Sequence, residues 1–201
     1  MARAENRPFE GQDADAHASS GGLIGLITAS CRHIALLAAM IATCGSLFFS
    51  EVLLWPPCQL CWYQRILMYP LTAILTVGIL RRDRDLHWYA LPLSLSGIGV
   101  STYHYLEVMK LIDPPPCSGA IPCSVDYLTA ILTGPLGFVK IPFLALVAFT
   151  IISIMMGNFA VAGDEALPNP GRGQAAARWW ALGVIVVTAV IFLGLRAMIY
   201  I

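Results

Sequence analysis

The sequence predicts an all-α membrane protein: a four-helix transmembrane bundle plus a fifth, C-terminal transmembrane helix. Three observations carry this. Of 201 residues, 58% are hydrophobic and only 12% charged, about half the charge of a soluble domain. Mean hydropathy is +0.73. Uncharged runs recur at the length that a bilayer core about 30 Å thick demands, roughly 20 residues of helix. Twelve basic and twelve acidic side chains leave zero formal charge; with no basic stripe, a nucleic-acid partner is disfavoured.

The first span is residues 34–50, between Arg32 and Glu51, with room to extend upstream through residues 23–31. The second uncharged run, residues 66–80, covers only about 22 Å at the helical rise. To cross, this helix must begin near Pro57 or Cys58, which places Arg65 two turns inside it. A charge at that depth marks a functional site unless its long stem carries it back to the headgroups, and spacing alone leaves both readings open. The third span lies between Asp85 and Glu107, the fourth between Lys140 and Asp164, and the fifth between Arg178 and Arg196 with a tail to Ile201.

Positive charges near span ends set orientation. With the N-terminus inside, the inner segments hold Arg3, Arg7, Arg32, Arg81, Arg82, Arg84, Arg172 and Arg178, and the outer ones Arg65, Lys110, Lys140 and Arg196. The arginine block at 81–85 is the strongest element of this bias. Residues 1–22, polar and rich in Ala, Ser and Gly, read as a disordered cytoplasmic tail, and their charged, proline-containing start does not read as a cleavable signal. Residues 23–162 form the four-helix unit, 163–178 a Pro/Gly-rich cytoplasmic linker, and 179–201 the extra helix.

The cysteines carry the chemistry. Cys58 and Cys61 form a C-x-x-C after Pro56-Pro57, and prolines suit a helix start. Both sulfurs are expected in the first helical turn, where free N–H groups and the helix dipole favour a thiolate. Arg65, four residues beyond Cys61, falls one turn deeper on the same face. Cys117 and Cys123 sit in the proline-rich loop after the third span, expected to be extended and accessible. Both pairs fall on the outer side, where disulfides persist. Their rings are short and stabilise little, so exchange suits them better than stapling. A four-cysteine zinc site is the rival, although C-x5-C is an unusual knuckle spacing. Cys31 and Cys44 have no partner at motif spacing and read as packing residues.

The string Pro57-Cys58-Gln59-Leu60-Cys61-Trp62-Tyr63-Gln64-Arg65 resembles the signature of the DsbB family of disulfide bond formation proteins. The close loop pair, Ser124-Val125-Asp126-Tyr127, Gly137-Phe138 and Ile141-Pro142 resemble its short-loop, BdbC-type branch. The resemblance covers roughly residues 34–160. It implies a thiol:quinone oxidoreductase of the bacterial cytoplasmic (inner) membrane, part of electron transport and chaperone-type disulfide formation, with both cysteine pairs extracytoplasmic. The implied partners are a thioredoxin-like (DsbA-type) dithiol oxidase and the membrane quinone pool, ubiquinone or menaquinone. The catalytic residues so implied are Cys58, Cys61, Cys117 and Cys123. Cys61 contacts the quinone, Cys58 resolves it, Arg65 is the nearby cation, and His104 matches the family histidine near the outer end of the third span. No metal is implied.

In that scheme the partner attacks Cys117, Cys123 attacks Cys58, and Cys61 is freed towards the quinone. A short interfacial helix is expected over 127–132. The fifth span departs from the four-helix pattern. Three alternatives stand beside this reading: a vitamin K epoxide reductase-like enzyme, whose loop cysteines precede its C-x-x-C; a reductive electron conduit, whose cysteines would lie within paired spans; and a non-enzymatic metal-binding membrane protein.

Overall fold

The computed structural model describes residues 11–112, 122–125, 127–128, 137–163 and 172–199. Five long helices follow one another: α1 Gly11–Leu47, α2 Gln59–Arg81, α3 Leu86–Val108, α4 Ile141–Ala162 and α5 Arg172–Ile199. A π-helical turn, Phe48–Val52, closes α1. Helix is drawn from Gly11, so part of the stretch read as a disordered tail continues α1 backwards; its alanines suit a helix. α5 likewise begins at Arg172, inside the expected linker. The 127–132 helix falls largely outside the described residues.

Local chemistry fixes the ends. Cys58, extended behind its two prolines, caps α2, its sulfur accepting from the Cys61 N–H. Arg82 ends α2 in the left-handed conformation (φ 57°), and the Asp83 N–H returns to the Gly78 carbonyl at 2.8 Å, as helix C-termini do to satisfy late carbonyls. Asp83 Oδ1 then accepts from the Asp85 N–H at 2.9 Å, turning the chain into α3. α4 starts behind extended Lys140 with a proline in its first turn.

α1 to α4 close a four-membered ring in which each helix packs on the next and α4 returns to α1, while α5 lies outside against α1 and α2. The shared core is apolar, with Leu36, Leu71, Leu75, Phe149, Ile152 and Met156 fully buried. Four helices are long and apolar enough to cross a membrane: Thr28–Val52, Gln59–Arg81, Ile141–Ala162 and Ala175–Met198. The expectation of five therefore needs qualifying at α3. It has 23 residues, enough to cross, but buries Ser94, Ser101, His104 and Glu107. Its polar positions are spent inside the bundle, between α2 and α4.

α3 and α4 meet where Gly97 faces the Phe149 ring, and a Cβ there would collide with that ring. Gly97→Ala is expected to destabilise the bundle by about 1–3 kcal/mol through overpacking, read as a lowered thermal midpoint in detergent. The paired change Gly97→Ala with Phe149→Leu should recover part of the loss.

Candidate active site

The site is built at the N-terminus of α2. With Cys58 as cap and Cys61 at the third helical position, the two sulfurs stand 2.8 Å apart, and the Cys61 N–H donates to the Cys58 sulfur at 3.3 Å. Both are free thiols, as are Cys31 and Cys44. Cys31 is packed in the core, in keeping with its reading as a small hydrophobe. Cys123 is disulfide-bonded, whereas Cys117 lies outside the described residues.

The loop pair was expected to be accessible, and for Cys123 this is corrected: it is only 2% exposed and packs with Cys58 and Leu60, with Cys61 at the edge of the cluster. The segment around Cys123 thus lies over the start of α2. Three rings fasten it there. Trp55 stacks on Phe49 (centroids 5.5 Å, 14°) and on Tyr127 (5.2 Å, 12°), and the Tyr127 hydroxyl donates to the Pro56 carbonyl at 3.2 Å.

His104, near the end of α3, reaches the first cysteine. Its Nε2 stands 3.6 Å from the Cys58 sulfur and 3.1 Å from the Cys123 carbonyl, and its Nδ1 lies 3.2 Å from Gln64 Nε2. An amide nitrogen only donates, so Nδ1 accepts and Nε2 carries the hydrogen. The imidazole therefore donates towards both the sulfur and the carbonyl. The Cys61 thiol, bonded to the Cys58 sulfur, together with His104 and the Cys61 N–H, holds Cys58 well below the ordinary thiol range, while burial opposes them.

Sequence alone favoured a thiolate at both sulfurs, with Arg65 as an added charge beneath Cys61. In the structure the hydrogen bonds converge on Cys58. Arg65 is itself buried. Its Nη2 donates to the Ser46 carbonyl at 3.0 Å, at the C-terminal end of α1 where carbonyls seek donors, and its guanidinium lies 5.4 Å over the Trp62 ring.

Below the cysteines a cavity of about 400 Å³ opens between α1, α2 and α4. Cys58, Cys61, Gln64, Arg65 and His104 share one end of it. Small residues leave the space, with Ala38, Ala42 and Gly45 on α1 and Ala145 and Ala148 on α4. An apolar cavity with a few convergent polar groups is the usual form of a small-molecule site.

The two sulfurs and a ring nitrogen of His104 also lie within 4.8 Å of one another, as metal ligands do. Two thiolates on one tetrahedral zinc stand about 3.7 Å apart, so a sulfur separation of 2.8 Å suits a dithiol exchanging with its own disulfide better.

Two polar residues escaped the sequence reading. Gln64 is three residues from Cys61, hence on its face of the helix, and this spacing was signal enough. Glu107, noticed only as a span boundary, is 1% exposed one turn beyond His104, and neither carboxylate oxygen has a hydrogen-bond partner.

Gln64→Leu is expected to free the His104 ring and raise Cys58 in part, since the Cys61 thiol and N–H still bond its sulfur. Titration of thiolate absorbance in the reduced protein reads this: the parent should keep a thiolate below neutral pH, and the variant should lose it at a higher pH than the parent.

The model of the family described as Disulfide bond formation protein DsbB matches residues 28–200. The Probable disulfide formation protein C of Halalkalibacterium halodurans is 48% identical over 121 residues, 59% of this chain and 84% of the relative. The Disulfide bond formation protein C of Bacillus subtilis is 46% identical over 120 residues, 59% and 83% of the two chains. A Probable disulfide formation protein of Oceanobacillus iheyensis is 49% identical over 123 residues, 58% and 79%. No solved structure matches the chain. A cysteine pair capping a membrane helix, a second cysteine folded onto it and a match across nearly the whole length agree: the chain belongs to the DsbB family, and is a multi-pass membrane oxidoreductase of disulfide bond formation.

Proposed function

We propose that this protein is a thiol:quinone oxidoreductase that reoxidises a thioredoxin-like (DsbA-type) dithiol oxidase outside the cytoplasm and passes the electrons to ubiquinone or menaquinone. The observation that carries the reading is the cysteine pair at the end of an apolar cavity between helices, with buried Arg65 beside it and Cys123 packed on Cys58. The catalytic unit is the bundle of residues 23–162.

The packing of Cys123 on Cys58 supports the following relay. A partner thiolate attacks Cys117, and Cys123 leaves with the electron pair. The Cys123 thiolate attacks Cys58 of the Cys58–Cys61 disulfide, which releases Cys61 as a thiolate in the field of Arg65. The partner's second thiolate then displaces Cys117 from the mixed disulfide, and the Cys117 thiolate attacks Cys123, which re-forms the loop disulfide and releases Cys58 as a thiolate; His104, holding its proton on Nε2, steadies the negative charge on Cys58. A quinone bound in the cavity supplies a two-electron, two-proton acceptor. Arg65 and His104 are the residues that would hold its polar head, and the alanine-lined walls its apolar body. The buried setting strengthens the attraction between Arg65 and any developing negative oxygen.

Two measurements test this. Purified protein should reduce an added quinone in the presence of reduced partner and should carry quinone rather than zinc; stoichiometric zinc without quinone reduction would favour the metal-binding alternative. With both cysteine pairs outside and the 81–85 arginines inside, a membrane-impermeant maleimide should label Cys117 in intact cells after mild reduction, and Cys123 more slowly because it is buried against Cys58. Labelling only after permeabilisation would reverse the orientation.

A further inference from the structure

The opposite end of the bundle holds a cluster of positive side chains that the thiol chemistry does not use. Arg32 on α1 is 0% exposed, and its Nε, Nη1 and Nη2 are buried without hydrogen-bond partners. Arg82 Nε, at the end of α2, and His87 Nδ1, at the start of α3, are buried and unpartnered as well. Two of these residues meet at one ring, and the third lies near enough for its charge to act on Arg32. The Arg32 guanidinium lies 5.3 Å over Phe159 of α4, the His87 imidazole meets the same ring edge-on at 6.1 Å, and the Arg82 charge is felt at Arg32.

A guanidinium cannot shed its proton, and burying it with only an aromatic face for company leaves most of its lost hydration uncompensated. A second arginine beside it worsens the balance. No carboxylate oxygen among the described residues reaches these five nitrogens. Asp83 instead accepts from the Asp85 N–H, His33 is bonded to the Ala177 carbonyl at 3.1 Å, and Arg178 Nε donates to the Leu80 carbonyl at 3.1 Å. Arg82 and His87 are only half-buried, and exposed Arg81 and Arg84 rim the same end, so this side of the cluster reaches the surface.

We propose that Arg32, Arg82 and His87 form a binding site for a phosphate oxyanion, independent of the cysteine site. Guanidinium forks match phosphate oxygens bidentately, and a basic pocket between helix ends at one membrane face is the setting in which lipid headgroups are held. The same chemistry would take inorganic phosphate, so the experiment separates the two sources.

The full chain, purified in neutral detergent, is unfolded thermally with inorganic phosphate, with phosphatidylglycerol in mixed micelles, or with neither. Saturation at about a hundredfold excess over Kd should raise the midpoint by about 5–10 °C. A response to phosphatidylglycerol alone identifies a lipid headgroup, and a response to phosphate as well identifies a general oxyanion site. Because Arg32→Gln risks misfolding, Arg82→Gln and His87→Gln carry the comparison, and each should lose at least half of the shift. No response to either additive, or an undiminished response in both variants, overturns the proposal. If, in addition, the double change Asp164→Asn with Glu165→Gln lowers the midpoint without additives, the counter-charge belongs to the chain's own linker.

Discussion

Cys61→Ser is expected to reduce partner-dependent quinone reduction by at least about a thousandfold, the scale on which loss of a nucleophile abolishes covalent catalysis. A serine hydroxyl neither forms a disulfide nor leaves as an anion at neutral pH. The capped geometry at Cys58 survives, because the Cys61 backbone N–H still donates to that sulfur. The fold is thus preserved while electron delivery stops. Cys58→Ser, Cys117→Ser and Cys123→Ser should do the same at earlier steps. Cys58→Ser should also accumulate a partner mixed disulfide at Cys117, because Cys123 has lost its target. The controls are Cys31→Ala and Cys44→Ala, which should keep turnover near the parent rate; alanine avoids placing an unpaired hydroxyl where Cys31 is fully buried. Near-parental turnover in Cys61→Ser would end the relay reading.

Arg65→Gln should slow the quinone step by about 10²–10³-fold, the usual cost of removing one preorganised donor from a site where negative charge develops. Arg65→Lys should fall in between, keeping the charge but not the planar fork that spans Ser46 and Trp62. Nη2 is held by the Ser46 carbonyl and the guanidinium lies over the Trp62 ring, so its charge is fixed beside the cavity. Exchange between partner and Cys117 should be almost unaffected, since it precedes the arginine's step. Stopped-flow mixing of each variant with quinone, and separately with reduced partner, resolves the two steps. Quinone reduction at the parental rate in Arg65→Gln would make the arginine a headgroup anchor only.

Much of this site could be read along the chain because its determinants are local. Pro56-Pro57 before Cys58 announced a helix start, and the i, i+4 relation of Cys61 and Arg65 announced a shared face. The meeting of His104 with Cys58 could not be read in this way, because it depends on how α3 leans across α2, forty-six positions away in sequence. The burial of Cys123 was hidden for the same reason: prolines told of an extended loop, but not that Cys123 packs on the cap of α2. At α3, a helix whose polar residues point inward reads as weakly apolar in one dimension, since hydropathy does not distinguish a lipid-facing serine from one bonded to a neighbouring helix, as Ser94 is to Ser153. Arg32 looked like an ordinary span boundary until folding enclosed it.

The stacked rings of Phe49, Trp55 and Tyr127 join the end of α1, the approach to Cys58 and the loop that holds Cys123. Phe49, Trp55 and Tyr127 also border the cavity. Displacing the loop therefore means unstacking Tyr127, which loosens the cavity's roof in the same movement. The indole of Trp55, stacked between Phe49 and Tyr127 beside the cavity, sits where its fluorescence would report any change in that stack.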